Sequence, residues 1–149
     1  METSPTANPK VQFLRTPPRA LPHLQLVIPY TTPELTQAAL KSAAIFAHNL
    51  EATVRLLHVH VLPYPRPLDQ PDVSSEHLEN KLADAAGQCP LPVRAEVVYA
   101  RDRQEAFRQL LPPGSLVLIA TRTRWWPTAQ QRLAHSLSRA GHSVALLAV

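Results

Sequence analysis

The sequence predicts a doubly wound α/β domain on a parallel sheet, and three observations predict it. Apolar runs of strand length alternate with stretches whose apolar residues recur at helical spacing, and the alternation continues to the last residue. Helix-start and helix-stop residues fall between the two kinds of segment rather than inside them. Strands separated by helices need crossover connections, which give parallel pairing, right-handed connections and helices on both faces of the sheet.

The elements are read in order. Residues 1 to 22 contain Pro5, Pro9, Pro17, Pro18 and Pro22, which remove backbone donors and bias their predecessors to extended conformations. This segment reads as a Pro-rich flexible tail in which Val11 to Leu14 alone can dock, and the folded domain is expected over 23–149. Leu24 to Ile28 is the first strand. Thr32 offers an N-cap, Pro33 suits the first helical position, Glu34 suits the positive helix end, and Leu35, Ala39, Ala43, Phe46 and Leu50 mark one helical face.

Val54 to Val61, rich in Val and Leu, is the second strand, and the prolines between Pro63 and Pro71 make an irregular connection. Ser74 or Ser75 caps the second helix, with Leu78, Leu82, Ala85, Ala86 and Cys89 on one face. Val93, Ala95, Val97 and Tyr99 alternate with Arg94, Glu96 and Val98, the pattern of a strand near an edge with one wetter face.

Asp102 followed by Glu105 is an acidic form of the capping box. Phe107, Leu110 and Leu111 give a short third helix, stopped by Pro112, Pro113 and Gly114. Leu116 to Ala120 is the fourth strand. Leu133, Leu137 and Ala140 mark the fourth helix, Arg139 complements its C-terminal dipole, and Gly141 can take a left-handed cap. Val144 to Val149 is the last strand.

Composition bounds the rest. A chain of 149 residues fits one domain with a sizeable core, and 45% hydrophobic with 17% charged residues describes a globular chain. The formal charge is +4, but Lys is scarce and the arginines are spread along the chain, so no nucleic-acid partner is expected. The single cysteine, Cys89, has no internal partner and nothing nearby to activate it, which fits a small packed group in a reducing compartment. No signal-like start and no run approaching the roughly 18 apolar residues of a membrane span occurs, so a cytoplasmic protein without a membrane partner is expected.

Three stretches resemble the universal stress protein family. They are Leu26-Val27-Ile28-Pro29-Tyr30-Thr31-Thr32-Pro33-Glu34, then Ala52 to Val59 with its Leu56-Leu57-His58-Val59 ending, and Leu116 to Thr121 together with Ser143 to Leu147. The resemblance covers His23 to the C-terminus and implies a five-stranded sheet in the order 3-2-1-4-5 with four helices. It also implies a two-fold dimer through the C-terminal strand, with Val144, Leu146 and Ala148 at the interface. Nucleotide-binding members of the family carry an Asp at the end of strand one, where this chain has Tyr30. They carry a glycine-rich phosphate loop after strand four, where this chain has Ala120 and Thr123 and no glycine between Ser115 and Ala140. A close phosphate cradle needs backbone geometries that a Cβ hinders, so ATP or AMP is disfavoured as a cofactor.

The ligand position in an open α/β sheet is the crevice at the strand carboxyl ends where the winding reverses. With the resemblance this gives Tyr30, Thr31, Val59, Thr121, Arg122, Thr123 and Arg124 as candidates for binding a nucleotide or other anion. Arg122 and Arg124 can hold a phosphate or carboxylate bidentately, or simply form a solvated basic loop. Trp125 and Trp126 either stack on a base or a partner, or fold back over the sheet end into the volume a nucleotide takes. His58 and His60 share a strand face at chelating distance, but with no third ligand they read as structural. No catalytic motif occurs. The expectation is a non-catalytic regulatory or interaction module that does not depend on ATP, with a small-ligand binder as the alternative.

Overall fold

The computed structural model describes residues 23–48, 50–64, 67–69, 74–123 and 127–149. Among them β1 (His23–Pro29), α1 (Pro33–Phe46), β2 (Glu51–Val61), α2 (Ser75–Ala86), β3 (Val93–Ala100), α3 (Arg103–Leu110), β4 (Leu116–Thr121), α4 (Ala129–Arg139) and β5 (Ser143–Ala148) alternate without interruption. The strands form one sheet in the order β3-β2-β1-β4-β5 with every neighbouring pair parallel. The doubly wound α/β fold and its 3-2-1-4-5 order are therefore observed.

Side-chain alternation divides the core in two. Leu26, Ile28, Val54 and Leu56 face a layer made by Leu35, Ala39, Leu40 and Ala43 of α1 and Leu82 and Ala85 of α2. Val27, Leu57, Val117 and Ile119 face the opposite layer, made by Ala106 and Phe107 of α3 and Leu133, Ala134 and Leu137 of α4. Full burial of each such large side chain contributes about 1.5–3 kcal/mol relative to exposure. The two layers leave the strand ends, rather than the sheet faces, as the place where a site can form.

The helix starts follow their capping residues. Thr32 accepts from the Leu35 amide at 3.2 Å, Ser74 from His77 at 3.2 Å, and Asp102 from Glu105 at 2.8 Å. The reciprocal half of the Asp102 box is not made, because the Glu105 carboxylate is taken by Arg108 and by Gln109. A full box forms instead at α4, where Thr128 and Gln131 bond each other's backbone amides. At the other end of α4, Gly141 has φ of 98°, as expected of a left-handed cap. Its amide reaches Ser138 O and that of His142 reaches Leu137 O, which closes the helix in a Schellman motif.

Four local expectations are corrected. Phe46 and Leu50 are 62% and 47% exposed, because the inward position one turn after Ala43 is taken by Ala47 and the helix ends there. Cys89 lies beyond the end of α2, half-buried against the same core cluster as Ala85. Ala140 is the exposed C-cap of α4 rather than part of its buried face. β3 is an edge strand as expected, but its wetter face is confined to its start: Val98 and Ala100 pack against the cluster around Phe107, while Ala95 of the opposite set is exposed.

Candidate functional site

The winding reverses between β1 and β4, and the crevice at their carboxyl ends is bounded by the first turns of α1 and α4. Tyr30 follows β1 directly. Its amide continues the strand ladder to Leu57 O at 2.8 Å, and its ring is buried, 7% exposed, within the α1/α2 layer. Burial, helped by Glu34, pushes the Tyr30 hydroxyl above its ordinary pKa, so it stays neutral. Thr31 turns inward through its backbone, its amide donating to the Thr36 hydroxyl at 3.1 Å.

The end of β4 is tied down as well. Thr121 is 1% exposed and its hydroxyl is 2.7 Å from that of Thr128, the N-cap of α4. Val59 is buried in the α3/α4 layer, so its side chain serves the core. Arg122 and Thr123 are exposed, and Arg122 borders a cleft of about 380 Å³ with Thr32, Leu35, Thr128, Ala129 and Gln130. Here the positive ends of two helix dipoles meet a guanidinium, an arrangement suited to an anion. Arg124, Trp125 and Trp126 lie outside the described residues, as does the tail over 1–22.

Beside the crevice, rings line up across three strands on the α1/α2 face. Tyr30 meets His58 edge-on at 5.3 Å, His58 lies 6.0 Å from His60, and His60 meets Tyr99 edge-on at 5.8 Å. Both ring nitrogens of His58 are buried without a hydrogen-bond partner. Burial first, then the nearby His60, Lys81 and Arg103 charges, pull its pKa down to about 4. His58 is thus neutral at pH 7 and acts as a packed ring. Among the described residues no group of three or more His, Cys, Asp or Glu is gathered to hold a metal ion.

The residues expected at a dimer interface divide between two environments. Leu146 is 45% exposed and Ala148 is exposed on the edge strand β5, whereas Val144 is half-buried against the α3/α4 layer. No helix among the described residues is long and apolar enough to cross a membrane.

Sequence reasoning missed Thr128, His142 and Arg103. Thr128 was legible as the Thr-x-x-Gln of a capping box. His142 is buried and accepts the Ser115 amide on Nδ1 at 3.1 Å, joining the turns that precede β4 and β5. Arg103 begins α3, where the helix dipole disfavours a cation, and that placement was its signal. No protein-family model matches the chain, and no curated protein matches it.

Proposed function

We propose that the chain is a non-catalytic regulatory or interaction module of the universal stress protein type, working as a homodimer paired through β5 and independent of ATP. The observation that carries this reading is the edge of β5, which among the described residues pairs with no strand but β4. That strand pairs on one side with β4 and presents Leu146, 45% exposed, together with Ala145 and Ala148, and Val149, 52% exposed, follows it directly. An apolar edge strand is a template for further strand pairing, and a two-fold axis lets two copies cover each other's edge.

Independence from nucleotide is supported by the end of β1 and the end of β4. A buried Tyr30 stands where a nucleotide-binding member has an acid, and the Thr121 hydroxyl is already engaged. No residue between Ser115 and Ala140 is a glycine. Multi-angle light scattering at micromolar concentration should give twice the chain mass, and calorimetric titration with ATP, ADP and AMP should give no heat. A monomer mass overturns the dimer, and saturable heat with ATP overturns the nucleotide part.

A second reading is favoured by the cleft beside Arg122, which suits a small anion at the same crevice. Loss of anion binding in Arg122→Met, with the dimer intact, would mark that reading as correct.

A further inference from the structure

We propose that Val11, Phe13 and Leu14 of the N-terminal segment dock on an apolar patch formed by Ile45, Phe46 and Leu50, where α1 ends and the chain turns into β2. The occupant of this surface is thus a segment of the same chain. The patch lies at the amino-terminal end of the strands, so it depends neither on the reading of β5 nor on that of the β1/β4 crevice at their carboxyl ends.

Ile45, Phe46 and Leu50 are 77%, 62% and 47% exposed, and they fall together at one end of the domain. A lone exposed apolar side chain needs no explanation, but a contiguous group of large ones marks a surface that something covers. The core fixes its position: Ala43 and Ala47, 0% and 1% exposed, hold the end of α1 against the sheet. Turn hydrogen bonds keep its members close, with the His48 amide donating to Ile45 O at 3.2 Å and the Leu50 amide to Ala47 O at 2.9 Å.

The place where the chain enters the fold identifies the occupant. His23 opens β1 and is the register partner of Glu51, and neighbouring strands lie about 4.8 Å apart, so the N-terminal segment leaves the domain beside Leu50. Val11, Phe13 and Leu14 are the only cluster of large apolar side chains before His23. Residues 15 to 22 join that cluster to His23, and a linker of this length spans up to about 28 Å when extended, longer than the short turn from Phe46 to Glu51. Lys10 and Arg15 flank the cluster, and the exposed Glu51 next to Leu50 offers the opposite charge, while Lys41, the one cation of α1, lies further from the strand starts. On so short a tether the effective concentration is of order millimolar, so a small contact is enough to favour this segment over a free partner.

The test uses the full chain under native conditions, with chymotrypsin cutting after Phe13 or Leu14 and the cut followed by mass spectrometry. A synthetic peptide of residues 8–20 gives the rate for an uncovered run. The full chain should be cut there about tenfold more slowly than the peptide, the scale of covering one large apolar side chain. Phe46→Ser and Leu50→Ser should each restore most of the lost rate. Both positions already meet solvent, so these variants should keep the wild-type far-UV spectrum. Leu146→Ser should leave the protection unchanged, which separates this outcome from the β5 reading. In urea unfolding, Phe13→Ser and Phe46→Ser together should lose less than the sum of the two single changes, because they remove one shared contact. Equal cutting of the full chain and the peptide, protection that survives Phe46→Ser and Leu50→Ser, or additive losses overturn the proposal. Protection that grows with protein concentration overturns it too, because the cover then belongs to a second copy.

Discussion

The hydroxyls of Thr121 and Thr128 lie 2.7 Å apart and join the last residue of β4 to the N-cap of α4. Thr128 also accepts the Gln131 amide at 3.1 Å, while Gln131 accepts the Thr128 amide at 2.8 Å. One side chain therefore fixes the direction in which α4 leaves the sheet. Thr128→Ala removes the cap and leaves the buried Thr121 hydroxyl without its side-chain partner, so a loss of roughly 1–2 kcal/mol is expected in urea unfolding. Thr128→Ser should recover most of it. Equal stability of the alanine variant and wild type would show that this link is not needed.

His58 sets a pH dependence. Its ordinary pKa of 6.5 falls to about 4 in the fold, chiefly through burial and then through His60, Lys81 and Arg103. The unfolded chain thus binds this proton more readily than the folded one. The contribution is fully present above pH 6.5 and is lost progressively as pH falls from 6.5 towards 4. His58→Phe keeps a ring against Tyr30 and removes the titration. Urea midpoints measured from pH 8 to pH 4 should fall less steeply for the variant, and parallel curves would rule the assignment out.

Much of the scaffold was legible because its signals are local. Thr32-Pro33 at the start of α1, Asp102 before α3 and Gly141 after α4 act on their own few neighbours, so sequence and structure agree at each. The failures arise where a distant element decides. Phe46 fits the apolar spacing of α1, yet the helix turns Ala47 inward and ends, leaving Phe46 in solvent. Val98 sits on the strand face that also holds Arg94, but it packs against the cluster around Phe107.

The site was less legible for the same reason. That Tyr30 and Thr121 lie at the ends of neighbouring strands follows from the strand order, but their burial depends on what α1 and α4 place above them. Arg103 and Arg132 are far apart in sequence and line one cleft because α3 and α4 cover the same face of the sheet. No spacing rule brings such a pair together.

Arg55 and Glu96 link β2 to the edge strand β3. Nε and Nη2 of Arg55 donate to Glu96 Oε1 at 3.2 and 2.9 Å, and Nη1 donates to Leu110 O at 3.1 Å. The arginine side chain is 16% exposed, so removal of its acid leaves a mostly buried cation short of a partner. Glu96→Ala is expected to lose about 1–3 kcal/mol. Adding Arg55→Met to it should lose less than the sum of the two single changes, because the stranded charge goes with it. Strict additivity in that double-mutant cycle would show that the pair is not coupled.

Two positions on the same face of β5 separate assembly from folding. Leu146 is exposed on the sheet edge, whereas Val144 packs into the layer that holds Leu137 and Ile119. Leu146→Lys puts a charge on the edge strand, the device by which sheet edges resist pairing. Under the dimer proposal it should halve the mass seen by light scattering and leave the far-UV spectrum unchanged. Val144→Lys should instead lower the unfolding midpoint, since its ammonium must leave the core or be buried unpaired. A dimer that survives Leu146→Lys at micromolar concentration would place the interface elsewhere than β5.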